Sequence, residues 1–230
     1  NAYAKFKKEY PDVPTLPLQT KIWPTFFDQD MVVEVKKSLK NLGDLKIIDA
    51  ILLHRPHVDN SINVKGWKGL IECQKLGLVK YIGVSNFEPD MIRILFNETG
   101  VMPQIVQDEA SVNSLRNDRI RFANDKGIML QGWRPLGLIK KNLNDPLLIK
   151  LAKKYNCQIT QLLIAFSISK GYVPLVKSTI TKRIEDNIQA LNIKLEKQDV
   201  VNLELSLNEH QSTIPGGSDS YAYLSILKKK

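Results

Sequence analysis

Polar or ionisable side chains follow each of six apolar segments of the sequence. His54 closes the segment KIIDAILLH and precedes Arg55 and Pro56, so it could be a satisfied core residue, a metal ligand or a proton donor. Lys21 lies near the end of the preceding apolar segment, LPLQTKIW. The later segments end at Ser85 with Asn86, Gln107, Trp133 with Arg134, and Lys177 with Ser178. This regularity indicates one shared site, provided that the six segments present their ends on a common face.

The apolar segments alternate with segments of helical period. Because they are short, rich in β-branched residues and almost continuously apolar, they predict strands buried on both faces, as in a parallel sheet. The six are LPLQTKIW, KIIDAILLH, VKYIGVSN, PQIVQDEAS, GIMLQGW and GYVPLVKS. Helices are predicted over 31–42, 88–100, 145–154 and 159–170, and another begins at Thr181.

Strands and helices in alternation predict an α/β protein with a parallel sheet. No G-x-G-x-x-G motif follows a predicted strand, which argues against a dinucleotide fold of the Rossmann kind. Polar residues at the carboxyl end of every predicted strand are what a (β/α)8 barrel requires, because the functional site of that fold lies on this face. We therefore expect a TIM-barrel type of fold.

Composition narrows the possible partners and location. The chain of 230 residues has 33 basic and 24 acidic residues, and its net charge is +9. Such a charge suits a nucleic acid, an anionic membrane or a phosphorylated small molecule, but a Lys-rich solvated surface, including the tail LKKK, explains it as well. The basic residues are scattered and not interleaved with aromatics, which argues against nucleic acid. No apolar segment approaches the roughly 20 residues of a membrane span. The distant Cys73 and Cys157, without a His/Cys cluster at metal spacing, predict no metal site and a reducing compartment, with the cytoplasm expected.

Five sequence motifs, in order along the chain, resemble those of the aldo-keto reductase family. TKIWP resembles the family's lysine strand, LLHRP its L-L-H-x-P histidine strand, and GLVKYIGVSNF, preceded by Trp67, its most recognisable stretch. WRPLG stands where the family has an aromatic residue followed by S-P-L-G, and PLVKSTITKRIEDN resembles its P-K-S…R-x-x-x-N cofactor loop. The resemblance runs from Leu16 to Leu207.

This resemblance implies a (β/α)8 TIM-barrel type of fold with only about six strand–helix units present, matching units three to eight. It predicts a single, N-terminally truncated domain over 1–230, in which 208–230 form a C-terminal loop or tail. With two units missing, the first and last strands would have open edges, and such edges invite pairing with another protein.

The implied activity is NADPH-dependent reduction of an aldehyde or ketone to an alcohol. In this family the histidine orients the substrate carbonyl, and a lysine lowers the pKa of a tyrosine that donates the proton. Lys21 and His54 fill the two matching positions, and a cation-supported hydrogen bond suits the oxyanion charge that develops during hydride transfer. Trp23 and Arg55 fall in the substrate pocket, and Arg55 would make its wall cationic.

The resemblance also implies residues for the nicotinamide half of an NADPH or NADP site. Ser85, Asn86 and Gln107 align with residues that hold the carboxamide, a group that needs donors and acceptors in one plane. Trp133 stands where an aromatic ring stacks on the nicotinamide, and Leu136 falls in the stretch that covers the pyrophosphate.

The adenosine half is implied by the last motif. Lys177, Ser178 and Arg183 match the positions that grip the 2′-phosphate, which predicts a preference for NADP over NAD. Arginine suits that role because its planar fork pairs with phosphate oxygens. Asp186 and Asn187 match the contacts to adenine.

The sequence departs from the family pattern before the lysine strand. The family's catalytic aspartate and tyrosine belong to a D-T-A-x-x-Y type of motif, and neither Tyr3 nor Tyr10 has such surroundings. AYAKFKKEY is interpreted as the remainder of the helix that follows the missing strand. We therefore expect weak activity or none from this chain. The alternative is a non-catalytic nucleotide-binding or structural subunit on the same fold, with a protein partner at the open edges.

Single substitutions also depart from the pattern. Val106 replaces an asparagine before Gln107, and Val176 replaces a proline before Lys177, which loosens that loop. Arg134 replaces a small serine near the pyrophosphate, where it could bind phosphate or crowd it.

Overall fold

The structure is a computed structural model that describes residues 2–14, 16–43, 45–207 and 220–228. The chain forms two compact units, one of the residues up to Ile105 together with Leu227 and Lys228, and one spanning Val106–Ile226. Helices and strands alternate in the first unit. They are α1 (Ala2–Glu9), β1 (Gln19–Ile22), α2 (Met31–Asn41), β2 (Ile48–Leu53), α3 (Asn60–Lys75), β3 (Val79–Ser85) and α4 (Pro89–Thr99).

The second unit continues the alternation but carries additional helices. Its elements are β4 (Ile105–Glu109), α5 (Asn117–Asp125), β5 (Met129–Trp133), α6 (Ile139–Asn142), α7 (Pro146–Lys154), α8 (Ile159–Ser169), β6 (Val173–Leu175), α9 (Thr181–Gln189) and α10 (Lys197–Leu207), and α11 (Ser220–Leu227) follows. No helix in the described part of the chain has the length and apolar character needed to cross a bilayer.

The three strands of the first unit lie in chain order and pair in parallel. In this register Lys21 is opposite Leu52, and Leu53 is opposite Val84. The side chains of Leu52, Leu53 and Val84 are fully buried, so a shift of the register would expose apolar surface. Packing of the core therefore determines which residues end the strands together.

Two glycines allow α3 to approach the preceding elements closely. A Cβ on Gly66 would lie 2.8 Å from the Phe27 ring, and one on Gly69 would lie 2.5 Å from the Met31 Cβ. Glycine weakens a helix interior by roughly 0.5–1 kcal/mol relative to alanine. Glycine is nevertheless required at both positions, because no larger residue fits between α3 and these side chains.

The strands of the second unit also lie in chain order, and β5 pairs in parallel with β6. The most buried helix is α8, in which the side chains from Leu162 to Ser167 are all buried. A buried ion pair joins β4 to α5, since Arg119 Nη1 lies 2.8 Å from Asp108 Oδ1. Both side chains are almost wholly removed from solvent.

The predicted helices are confirmed, and each observed boundary lies within one residue of the prediction. Gly100 ends α4 in the left-handed conformation, with φ of 70°, which is the usual role of glycine after a helix. The segment AYAKFKKEY is indeed helical as α1, although its interpretation as the remainder of a longer unit stays a prediction. Of the predicted tail 208–230, the part up to 219 lies outside the described residues, and Ser220–Leu227 is helical.

Burial of the strands on both faces is confirmed for β2 and β4, holds only in part for β3 and β5, and is wrong for β1 and β6. Val173 and Leu175 of β6 are 47% and 36% exposed. The strand is only three residues long and is the last in the strand order. One of its faces and one of its edges therefore stay exposed. A protein partner at this edge stays a prediction.

Candidate active site

Lys21 and His54 lie at the carboxyl ends of adjacent strands in the first unit. The His54 N–H donates to the Ile22 carbonyl at 2.9 Å, which continues the β1–β2 ladder by one step. Lys21 is opposite Leu52, and His54 lies two residues beyond Leu52, so both side chains project from the same face of the sheet. Both are half-buried. The structure thus brings the two predicted catalytic residues together.

Their surroundings keep the imidazole of His54 neutral. Partial burial is the main cause that lowers the pKa of His54 to about 4, and the positive charges of Lys21 and Arg55 lower it further. Partial burial also lowers the pKa of Lys21. A neutral imidazole has one donor and one acceptor nitrogen. Next to an ammonium group, its donor can bind a carbonyl oxygen and stabilise the negative charge that develops there.

Replacing Lys21 with methionine is expected to raise the pKa of His54 from about 4 towards its ordinary 6.5 without reaching it. The substitution removes a positive charge, whereas partial burial, the larger cause, remains. NMR titration of the histidine ring protons measures the shift, and His54→Gln assigns the resonance. An unchanged pKa would contradict the placement of the lysine charge beside the imidazole.

The lowered pKa of His54 also predicts how stability depends on pH. The unfolded chain binds this proton near pH 6.5 and the folded chain only near pH 4, so the unfolded state binds more protons between these values. Stability is therefore fully present above about 6.5 and decreases as the pH falls towards 4. Urea midpoints measured across this range should fall less steeply in His54→Gln than in the wild type.

Ser85 and Asn86 are buried at the end of β3. The Asn86 Nδ2 donates to the His54 carbonyl at 3.1 Å and to the Ser85 Oγ at 3.0 Å. Asn86 adopts a φ of 61°, a left-handed conformation that asparagine tolerates better than most residues. Sequence matching suggested only a contact to carboxamide, whereas the structure adds a second role, which is to hold the backbone of the histidine strand.

Trp23 and Arg55, the predicted substrate-pocket residues, border His54. The Trp23 ring meets the His54 ring edge-on, with 4.9 Å between centroids, and 43% of the residue is exposed. Arg55 is half-buried and close enough for its charge to lower the pKa of His54. An aromatic surface and a cation therefore accompany the imidazole.

The predicted nicotinamide contacts of the second unit lie on β4 and β5. The buried Gln107 Nε2 donates to the Gln131 Oε1 at 2.9 Å, so the orientation of the Gln107 amide is defined. Trp133 ends β5, where it is half-buried and opposite Leu175 of β6. Val106, which replaces the expected asparagine, is buried in β4.

A groove of about 640 Å³ lies in the second unit, and we call it the β5–α9 groove. It is bounded by the loop after β5, the segment after β6 and the first turns of α9. All of the predicted pyrophosphate, 2′-phosphate and adenine contacts line it. These are Leu136, Lys177, Ser178, Arg183, Asp186 and Asn187, and Arg134, which the sequence placed near the pyrophosphate, lines it as well. Gln107 and Trp133 are not among its lining residues.

The charge balance of the β5–α9 groove is positive. Asp186 is the single carboxylate among its described lining residues, and its Oδ1 already pairs with Lys182 at 2.8 Å. By contrast, Arg134, Lys177 and Arg183 make no ion pair with any residue that the structure describes. Ser178 is occupied locally, since its Oγ accepts from the Ile180 N–H at 3.1 Å. The groove can therefore hold an anion through its three cations more readily than through Ser178.

Two buried asparagines hold the loop after β5, and sequence analysis missed both. The Asn113 Oδ1 accepts from the Leu138 N–H at 3.0 Å and from the Asn142 Nδ2 at 2.8 Å. The Asn142 Nδ2 also donates to the Leu136 carbonyl at 3.0 Å. Gly137 has a φ of 56°, and a Cβ there would collide with the Asn113 amide. The partners are far apart in sequence, so no local pattern could have revealed them.

The sequence comparisons identify the family that the chain matches. The profile of the Aldo/keto reductase family matches residues 15–207. The chain is 30% identical to Aldo-keto reductase AKR2E4 of Bombyx mori over 84% of its own length and 68% of the relative. It is 32% identical to 2,5-diketo-D-gluconic acid reductase B of Corynebacterium sp. (strain SHS752001) over 74% of its own length. The chain spans 61% of that relative, which is less than two thirds.

The structural comparison supports the same assignment. The crystal structure of Bombyx mori AKR2E4 in complex with NADP superposes with a TM-score of 0.85 at 28% identity, over 92% of this chain and 74% of that one. The expected α/β fold of the TIM-barrel type, with six strand–helix units, is thereby confirmed. The matching motifs, the fold and the family profile agree, and this chain belongs to the aldo/keto reductase family.

Proposed function

We propose that this chain binds NADPH in the β5–α9 groove and serves the NADPH-dependent reduction of an aldehyde or ketone to an alcohol. The observation that carries this proposal is a set of three cations that line one groove of the second unit and have no acidic partner among the described residues. They are Arg134, Lys177 and Arg183. NADPH differs from NADH by a dianionic phosphate, and arginine and lysine are the side chains that bind phosphate best. The NADP complex of the silkworm relative supports the proposal.

The residues of the first unit supply the proton-transfer side of the reaction. The carbonyl carbon would accept the hydride that NADPH supplies when it is bound. The neutral His54 donates a hydrogen bond to the carbonyl oxygen, and Lys21 stabilises the negative charge that forms on it. The proton that completes the alcohol would come from water, and the oxidised cofactor would be NADP⁺.

We expect turnover by this chain to be slow. Lys21 and His54 match the family motifs, but no tyrosine of the chain has the surroundings of the proton donor. General acid catalysis contributes about 10²–10⁴-fold, so its loss leaves a small but measurable rate. The alternative, a non-catalytic nucleotide-binding subunit, predicts binding without any turnover.

A single-turnover assay distinguishes these two functions. Excess protein is incubated with NADPH and a reactive small aldehyde, and the loss of NADPH absorbance is followed. We expect slow oxidation above the protein-free rate, reduced further in His54→Gln. Bound NADPH that is oxidised no faster than in the absence of protein would reject the enzymatic function of this chain and favour the binding subunit. His57→Gln is the matched control, since His57 is not a lining residue of the β5–α9 groove and its ring Nδ1 accepts from the Asp59 N–H at 3.0 Å.

A further inference from the structure

Arg134 has an unusual backbone conformation at the mouth of the β5–α9 groove. It is one of three described non-glycine residues with positive φ, at 57°, and another of the three is Asn86, a predicted contact to the nicotinamide carboxamide. The conformation is held in place, since the Gly137 N–H donates to the Arg134 carbonyl at 2.9 Å. Residues kept in such sparsely populated conformations cluster at functional sites. The loop therefore presents an arginine at a position where its backbone alone would favour glycine or asparagine.

The guanidinium group of Arg134 has no counter-charge in the part of the chain that the structure describes. Within the second unit, Arg116 pairs with Asp118 and Arg119 pairs with Asp108, each at 2.8 Å. The Arg134 side chain makes no hydrogen bond or ion pair with the residues that the structure describes, although the residue is half-buried. A partly desolvated guanidinium without a partner is ready to bind an anion.

The position of Arg134 indicates which anion. It directly follows Trp133, the predicted nicotinamide contact, whereas Lys177 and Arg183 lie beyond β6 and on α9. NADPH has two anionic centres, the 2′-phosphate on the adenosine and the pyrophosphate between the two nucleosides. Since Lys177 and Arg183 are the predicted 2′-phosphate contacts, Arg134 is placed for the anion nearer the nicotinamide.

Crowding is the competing explanation, and the volume of the groove argues against it. With the Arg134 side chain in its observed position, the groove retains about 640 Å³, within the roughly 300–1,000 Å³ typical of small-molecule sites. The side chain therefore lines the groove and does not fill it.

We propose that Arg134 binds the pyrophosphate of the dinucleotide. The serine that the family pattern has at this position carries no charge and could not form this ion pair. The proposal rests on the proposed binding of NADPH in this groove. It predicts a contribution shared by NADPH and NADH, because both contain the pyrophosphate. The contribution of Arg134 to affinity thereby differs from that of Arg183, which should strengthen the binding of NADPH alone.

The test is calorimetric titration of the wild type and Arg134→Asn with NADPH, NADH and inorganic pyrophosphate. Asparagine removes the charge and tolerates the left-handed backbone, so the loop should keep its fold. A hydrogen bond to a charged group contributes about 1.5–3 kcal/mol, so we expect all three ligands to bind about 10- to 100-fold more weakly to the variant. Arg134→Lys should restore part of the affinity, and Arg121→Asn, an exposed arginine on α5, should change none of it.

Each result decides the proposal. Equal affinities of wild type and Arg134→Asn for NADPH and NADH would overturn it, and tighter binding by the variant would show that the arginine crowds the groove. If the wild type binds pyrophosphate through Arg134 but does not bind NADPH, the anion contact stands and the proposed function fails. If the wild type binds neither NADPH nor pyrophosphate, both fail.

Discussion

Replacing Arg183 with alanine is expected to weaken NADPH binding about 10- to 100-fold while NADH binding changes little. Arg183 lines the β5–α9 groove without an acidic partner among the described residues, and it matches the family's 2′-phosphate position. Loss of a hydrogen bond to a charged group costs about 1.5–3 kcal/mol, and each 1.4 kcal/mol is about a tenfold change in affinity. NADH has no 2′-phosphate, so the substitution removes no contact to NADH at this position.

Dissociation constants for both nucleotides, measured at fixed ionic strength, test this prediction. The matched control is Arg121→Ala, which removes the same charge from an exposed position on α5, outside the groove. The wild type should also lose NADPH affinity more steeply than Arg183→Ala as salt is added, because the variant has one phosphate contact fewer. An equal loss for NADPH and NADH would instead place Arg183 at a part common to both nucleotides.

Replacing Asp108 with alanine is expected to destabilise the protein by about 3–5 kcal/mol. Asp108 and Arg119 form an ion pair at 2.8 Å, with side chains only 1% and 2% exposed. Removing the carboxylate leaves a buried guanidinium without its counter-charge, which costs more than the pair itself contributes. Asp108 follows Gln107 on β4, so loss of this pair would also disturb a predicted nicotinamide contact.

Urea unfolding measures this effect, and two further variants separate its causes. Asp118→Ala breaks the exposed pair with Arg116, which should cost no more than about 1 kcal/mol. The double variant Asp108→Leu with Arg119→Met replaces the buried pair by apolar side chains and should recover most of the stability. A loss in Asp108→Ala no larger than that in Asp118→Ala would contradict the account of a desolvated pair joining β4 to α5.

The order of elements could be predicted because local patterns determine it. Pro89 starts α4 and Gly100 ends it, and both signals are contained in the sequence of that helix. The same holds for Lys21 and His54, whose placement at strand ends is visible from the apolar segments before them. The family motifs then assigned chemical roles that residue types alone leave open.

Contacts between distant residues could not be predicted in the same way. The Asn113–Asn142 hydrogen bond that holds the loop after β5 joins residues 29 positions apart. Gly66 and Gly69 indicate a weak helix when α3 is considered alone, and only the Phe27 and Met31 side chains packed against them explain their presence. The exposure of β6 depends likewise on which elements pack over it. The strand's own sequence, Val-Pro-Leu, contains no information about them.

The central claim, that the second unit carries an NADP(H) groove, is tested most directly by titrating the chain with NADPH and NADH and following tryptophan fluorescence. Trp133 should report binding if it stacks on the nicotinamide, and Trp133→Phe identifies its share against Trp23 and Trp67. We predict quenching by NADPH with a dissociation constant on the order of micromolar, and much weaker binding of NADH. A folded sample that binds neither nucleotide would contradict the claim.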